Sequence, residues 1–95
     1  MFSVELSPRA VRDLERARRE VLEASQSESV TAAYLQRIAA AIDALSAMPE
    51  RFPFWRDTGD HRFLVAEKYL VFFRIQGVQV QVSHVRYAGR RPFKK

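Results

Sequence analysis

Apolar positions along the chain recur first with a period of two, then of three to four, then of two again. Phe2, Val4 and Leu6 alternate with Ser3, Glu5 and Ser7, the pattern of a strand with one buried face. Ser7–Pro8 ends that strand and predicts a helix start: serine satisfies an orphan amide there, and proline has no amide hydrogen to leave unbonded. Val11, Leu14, Val21 and Leu22 form one stripe on a helix from Pro8 to about Ala24, and Arg12, Arg16, Arg19, Glu15, Glu20 and Glu23 take its other face. The polar run from Ser25 to Ser29 breaks it. Tyr34, Leu35, Ile38, Ile42 and Leu45 then define a second helix, which ends before Pro49 because the residue preceding a proline avoids helical geometry.

Residues 49–60 read as a loop punctuated by Pro49, Pro53 and Gly59. Its rings, Phe52, Phe54 and Trp55, are expected to pack back over an edge of the core, with base stacking as the alternative. Three strands follow. Arg62 to Ala66 is short; Tyr69 to Ile75 is apolar on both faces and so central in its sheet. Gln76–Gly77 turns the chain into Val78, Val80 and Val82, alternating with Gln79, Gln81 and Ser83, in a strand that runs to Arg86 or Tyr87. The expected fold is α+β in the order β-α-α-β-β-β: one domain over residues 1–95, a small, mainly antiparallel sheet with an N-terminal helical hairpin on one face. Leu45 and Phe72 belong to its core.

Charge adds a polarity along the chain. The net charge is +5, all 11 acidic residues lie at or before Glu67, and residues 68–95 hold seven basic residues and no acid. Such a field attracts nucleic acid or an acidic partner, or serves in part as a solubilising basic tail over residues 88–95. With no cysteine there is neither a disulfide framework nor a thiolate site. The first residues lack the layout of a signal peptide, and no apolar run reaches membrane length, so a cytoplasmic protein without membrane association is expected.

No catalytic motif stands out. The three glycines are far apart, and His61 and His84, on different strands, lack metal-ligand spacing, so no metal and no cofactor is expected. What remains is basic and aromatic: Arg62, Lys68, Arg74, His84, Arg86, Tyr87, Arg90, Arg91, Lys94 and Lys95. Such a set can clamp phosphates, and a His or Tyr among arginines can move a proton in RNA cleavage. Arg62 and Arg74 read equally as strand-edge arginines, and His84 as a structural histidine.

Three segments together resemble the RelE/ParE toxin superfamily, on its ParE-like, plasmid-stabilisation side. They are Val4 to Leu14; Ile42–Asp43–Ala44–Leu45 followed by Pro49; and the arginine-led Arg62–Phe63–Leu64–Val65 with Tyr69–Leu70–Val71–Phe72–Phe73–Arg74–Ile75, Val80 to Val85 and Tyr87–Ala88–Gly89–Arg90–Arg91–Pro92. The resemblance implies the toxin of a type II toxin–antitoxin module, silenced by a cognate antitoxin and reaching operator DNA only through the antitoxin complex. It implies antitoxin contacts at Leu14, Val21, Tyr34, Trp55 and Phe72. RelE-like members cut mRNA on the ribosome, and the positions that carry over to such a nuclease are Arg62, His84, Arg86, Tyr87 and Arg90. ParE-like members inhibit DNA gyrase, with Arg62, Arg74, Arg86, Tyr87, Arg90, Arg91, Lys94 and Lys95 as candidate target contacts. No lysine precedes Arg62, and the tail carries Phe93 where a catalytic tyrosine would stand, so the gyrase reading leads and the ribosome-dependent RNase follows. An inactive relative acting as a nucleic-acid-binding regulator is the third.

Overall fold

A computed structural model describes residues 1–56 and 59–89. Arg90, Arg91, Lys94 and Lys95, with most of the expected basic tail, lie outside the described residues. The elements are β1 (Ser3–Leu6), α1 (Pro8–Ser25), α2 (Glu28–Asp43), β2 (Arg62–Ala66), β3 (Tyr69–Gln76) and β4 (Gln79–Tyr87). Two 3-10 turns, Ala44–Ser46 and Pro49–Arg51, lie between α2 and β2.

The sheet runs β1-β4-β3-β2. β1 is parallel to β4, and the other two pairs are antiparallel. This is the mixed α+β arrangement expected from the pattern, with β3 inside the sheet as its two apolar faces require. Both helix caps follow the sequence signals: the Ser7 side chain accepts the Ala10 amide and the Ser27 side chain accepts the Val30 amide. α1 ends on Gln26 in the left-handed region, its amide bonded to the Leu22 carbonyl.

Three local expectations need correcting. The buried face of α1 is Ala10, Asp13, Ala17 and Val21, whereas Val11 is 41% exposed and Leu14 and Leu22 are only half-buried. Alanines let the helix approach the sheet closely, so its bulky aliphatics lie on the flanks of the contact. Leu45 is fully buried but sits in the 3-10 turn after α2, which ends at Asp43. Val78 belongs to the β3–β4 turn and is exposed.

The inner face of the sheet, under the hairpin, carries Leu64, Ala66, Tyr69, Val71, Phe73, Val80, Val82 and Val85. They pack with Ile38, Ile42 and Leu45 in one cluster. The alternate residues face outward: Phe63 opposite Phe72, Phe72 opposite His84, Leu70 opposite Arg86 and Arg74 opposite Gln81. Among the described residues no helix lies over that outer face.

Candidate functional site

The outer face owes its layout to an irregularity in β4. Phe73 pairs with Val82 but Phe72 pairs with His84, leaving Ser83 as an extra residue on β4. Strict alternation after Val80 and Val82 would bury His84. The bulge instead turns His84 and Arg86 outward and returns Val85 and Tyr87 to the inner face.

The start of α1 holds this bulge. Ser7 Oγ donates to the Ser83 carbonyl at 2.7 Å while accepting the Ala10 amide at 2.9 Å, and the Ser7 amide bonds the Val82 carbonyl at 2.9 Å. Asp13, 7% exposed, accepts the Val85 amide on Oδ2 at 2.9 Å. Its Oδ1 accepts from Arg16 at 3.0 Å, with Arg9 3.9 Å from Oδ2. A buried carboxylate is stable only when bonded and compensated, and here both conditions are met. Sequence reasoning missed Asp13, although a lone polar residue between Ala10 and Ala17 on a helix stripe was the available signal.

Over the bulge lies a stack of rings and cations. His84 lies flat on Phe72, centroids 4.5 Å apart. The Trp55 ring meets Phe72 edge-on at 5.1 Å and Phe63 at 5.2 Å, so this loop ring does pack back over the sheet. Arg86 lies 5.4 Å from the Trp55 centroid and 5.5 Å from that of Phe72, and Arg56 lies 4.6 Å from that of Trp55. Each such contact is worth about 0.5–1 kcal/mol where exposed. Arg74, on the same face, is half-buried and has no hydrogen-bond or ion-pair partner among the described residues.

His84 Nδ1 is 2.9 Å from Ser83 Oγ, and the His61 ring is 6.2 Å from the His84 ring, with Asp60 3.1 Å from His61 Nδ1. Burial lowers the His84 pKa first; the positive charge of Arg9 and then of His61 lowers it further, against the raising effect of Asp13. The unfolded chain therefore takes up a proton that the folded chain resists. Stability should fall as pH drops from the unfolded value, about 6.5, through the lowered folded one, and level off below it. Melting followed from pH 7 to pH 5 should decline more steeply for the parent than for His84→Gln. Parallel declines would show that His84 carries no such linkage.

The other candidates point elsewhere. Arg62 shares the inward face with Leu64 and Ala66 and closes the preceding loop. Its Nη1 donates to the carbonyls of Glu50 at 2.9 Å and Phe52 at 2.7 Å, and its guanidinium lies 4.1 Å from the Phe54 centroid. Lysine cannot reproduce a planar group that stacks on a ring while bonding two carbonyls. Arg62→Lys should cost about 1–2 kcal/mol, read as a lowered melting temperature; an unchanged melt would remove Arg62 from the loop's support.

Tyr87, half-buried on the inner face, meets Tyr69 edge-on at 5.4 Å. Tyr69 in turn contacts Tyr34 at 6.4 Å and donates to Glu20 Oε1 at 2.8 Å. Burial and the Glu20 carboxylate raise the Tyr69 phenol far above its ordinary range, so it stays protonated. His84 and Arg86 are thus on one side of the sheet, Tyr87 and Arg62 on the other, and Arg90 lies outside the described residues. Of the residues expected to touch an antitoxin, Val21 at 3% and Phe72 at 2% exposure are core residues closed to a partner. Leu14 instead lines an apolar groove of about 400 Å³ between α1 and α2, with Leu6, Val11, Ala32 and Leu35. Tyr34 and Trp55 are half-buried.

Comparisons with known proteins agree with this architecture. A chain of the chromosomal ParDE toxin–antitoxin system from P. aeruginosa superposes with a TM-score of 0.81 at 17% identity, covering 94% of this chain and 98% of that one. A chain of the archaeal RelE–RelB complex from Pyrococcus horikoshii OT3 superposes with a TM-score of 0.59 at 19% identity, covering 95% and 98%. No curated protein matches by sequence. The family described as ParE toxin of the type II toxin–antitoxin system parDE matches residues 4–92, and the chain belongs to it.

Proposed function

We propose that this ParE-family toxin arrests bacterial growth by binding DNA gyrase, without cutting nucleic acid, and that a cognate antitoxin silences it. The observation that carries the reading is the dispersal of the nuclease candidates. General acid–base cleavage of RNA needs a proton carrier and a cation within reach of one phosphate. Tyr87 is packed against Tyr69 on the inner face and Arg62 is bonded to loop carbonyls, while His84 and Arg86 occupy the outer face. His84 is also stacked flat on Phe72. This disfavours the ribosome-dependent nuclease, which otherwise suits the same basic surface.

Antitoxin recognition fits the groove between the helices. Its floor of Leu14, Val11, Leu6 and Leu35 is flanked by Glu15 and Arg18, which suits the apolar face of an amphipathic helix. Operator DNA would then be reached through the antitoxin. The test is supercoiling of relaxed plasmid by purified gyrase, titrated with antitoxin-free protein. Inhibition that saturates, and that the antitoxin reverses, is the expected result; full supercoiling at excess protein would remove gyrase as the target.

A further inference from the structure

We propose that the outer face of the sheet is a phosphate-reading surface for the backbone of duplex DNA, centred on Arg74 and Arg86 and flanked by Arg56. Three observations carry it.

The first is spacing. Arg74, opposite Gln81, and Arg86, opposite Leu70, stand two outward rows apart on the antiparallel pair, with His84, opposite Phe72, between them. Four residues of strand advance about 13.6 Å, about two phosphate steps along one nucleic-acid strand. The second is availability. Arg74 is half-buried with no hydrogen-bond or ion-pair partner among the described residues. Arg86 and Arg56 are held by ring faces, and neither donates a hydrogen bond among the described residues. Glu5, in the same row across Gln81, and Asp60 are the acids that share a cavity with Arg74, and neither forms an ion pair with it among the described residues.

The third observation selects the ligand. Single-stranded nucleic acid is held by bases stacked on exposed aromatic faces. Here Trp55 has guanidiniums over it, and Phe72 is 2% exposed beneath His84. The anchors that dominate protein interfaces are uncovered apolar or aromatic side chains near the centre; here the centre is covered, and Val65, 59% exposed, lies on the edge strand β2. What the centre of the face offers is cations on a rigid support, which suits a ligand recognised by its phosphates alone. The proposal stands without gyrase as the target, because its test contains no gyrase.

That test is fluorescence anisotropy of a labelled DNA duplex across a salt series, with the full chain and its Arg74→Gln, Arg86→Gln, Arg86→Lys and Arg12→Gln variants. Arg12 is exposed on α1, outside the sheet, and serves as the charge-matched control. The parent should bind the duplex at low salt and more tightly than the single strand. Arg74→Gln and Arg86→Gln should each lower the log–log salt slope by about 0.9, the value of one lost phosphate contact. Arg86→Lys and Arg12→Gln should keep the parental slope. Should Arg86→Gln fail to fold, Arg74→Gln decides alone, because that side chain has no hydrogen-bond or ion-pair partner among the described residues. Equal slopes for Arg74→Gln and Arg12→Gln would overturn the proposal, as would single-strand preference or no binding by the parent.

Discussion

Leu45→Asp is expected to leave almost no folded protein at room temperature. Leu45 is fully buried in the cluster that joins α2 to the inner face of the sheet. Removing its side chain from the core costs about 2–5 kcal/mol. The new carboxylate must then ionise in an apolar site or stay protonated against its ordinary pKa, at a further cost of several kcal/mol. A 95-residue domain has only about 5–14 kcal/mol to lose. Far-UV circular dichroism should show loss of helix and no cooperative melt. Met48, three residues on and 67% exposed, supplies the control: Met48→Asp should melt within about 0.5 kcal/mol of the parent. A Leu45→Asp variant that melts like Met48→Asp would contradict the assignment of the core.

Asp13→Ala should be the most damaging change to a polar residue. It strands the Val85 amide beneath α1 and frees the bulge from the helix, while Arg9 and Arg16 return to water at little cost. An orphaned buried amide, with the packing lost around it, costs about 2–3 kcal/mol. For a domain of this size that is roughly 10–20 °C in melting temperature. Asp13→Asn keeps an acceptor for Val85 and should recover more than half of the loss. If the two variants melt together, the charge of Asp13 matters and its bond to Val85 does not. Because the bulge turns His84 and Arg86 outward, Asp13→Ala should also broaden the His84 ring signals in an NMR spectrum recorded below the melting transition.

The order of elements was legible because each carries its own period: alternation in β1 and β4, a stripe in α2, a two-sided apolar run in β3, with Ser7–Pro8 marking the turn into α1. The site was less legible, for physical reasons tied to particular residues. Alternation continued past Val82 buries His84, and nothing local in Ser83–His84–Val85 announces the extra residue that reverses it. The bulge is fixed by Ser7 and Asp13, more than seventy positions away. Counting large aliphatics on α1 found its flanks and passed over Ala10 and Ala17, the small residues that allow contact. Arg62 and Arg86 look alike in sequence as strand arginines, yet one faces inward to loop carbonyls and the other outward over Trp55. Only the pairing register separates them. Tyr87 was grouped with Arg86 by adjacency, although neighbours on a strand face opposite ways.

The most direct test of the central claim, a ParE-family toxin with no nuclease centre assembled among its described residues, is toeprinting of mRNA on programmed ribosomes with the purified protein. With the protein in excess over ribosomes, the account predicts a full-length message and unchanged toeprints. Cleavage in the ribosomal A site would contradict it and would make His84 and Arg86 the residues to mutate first.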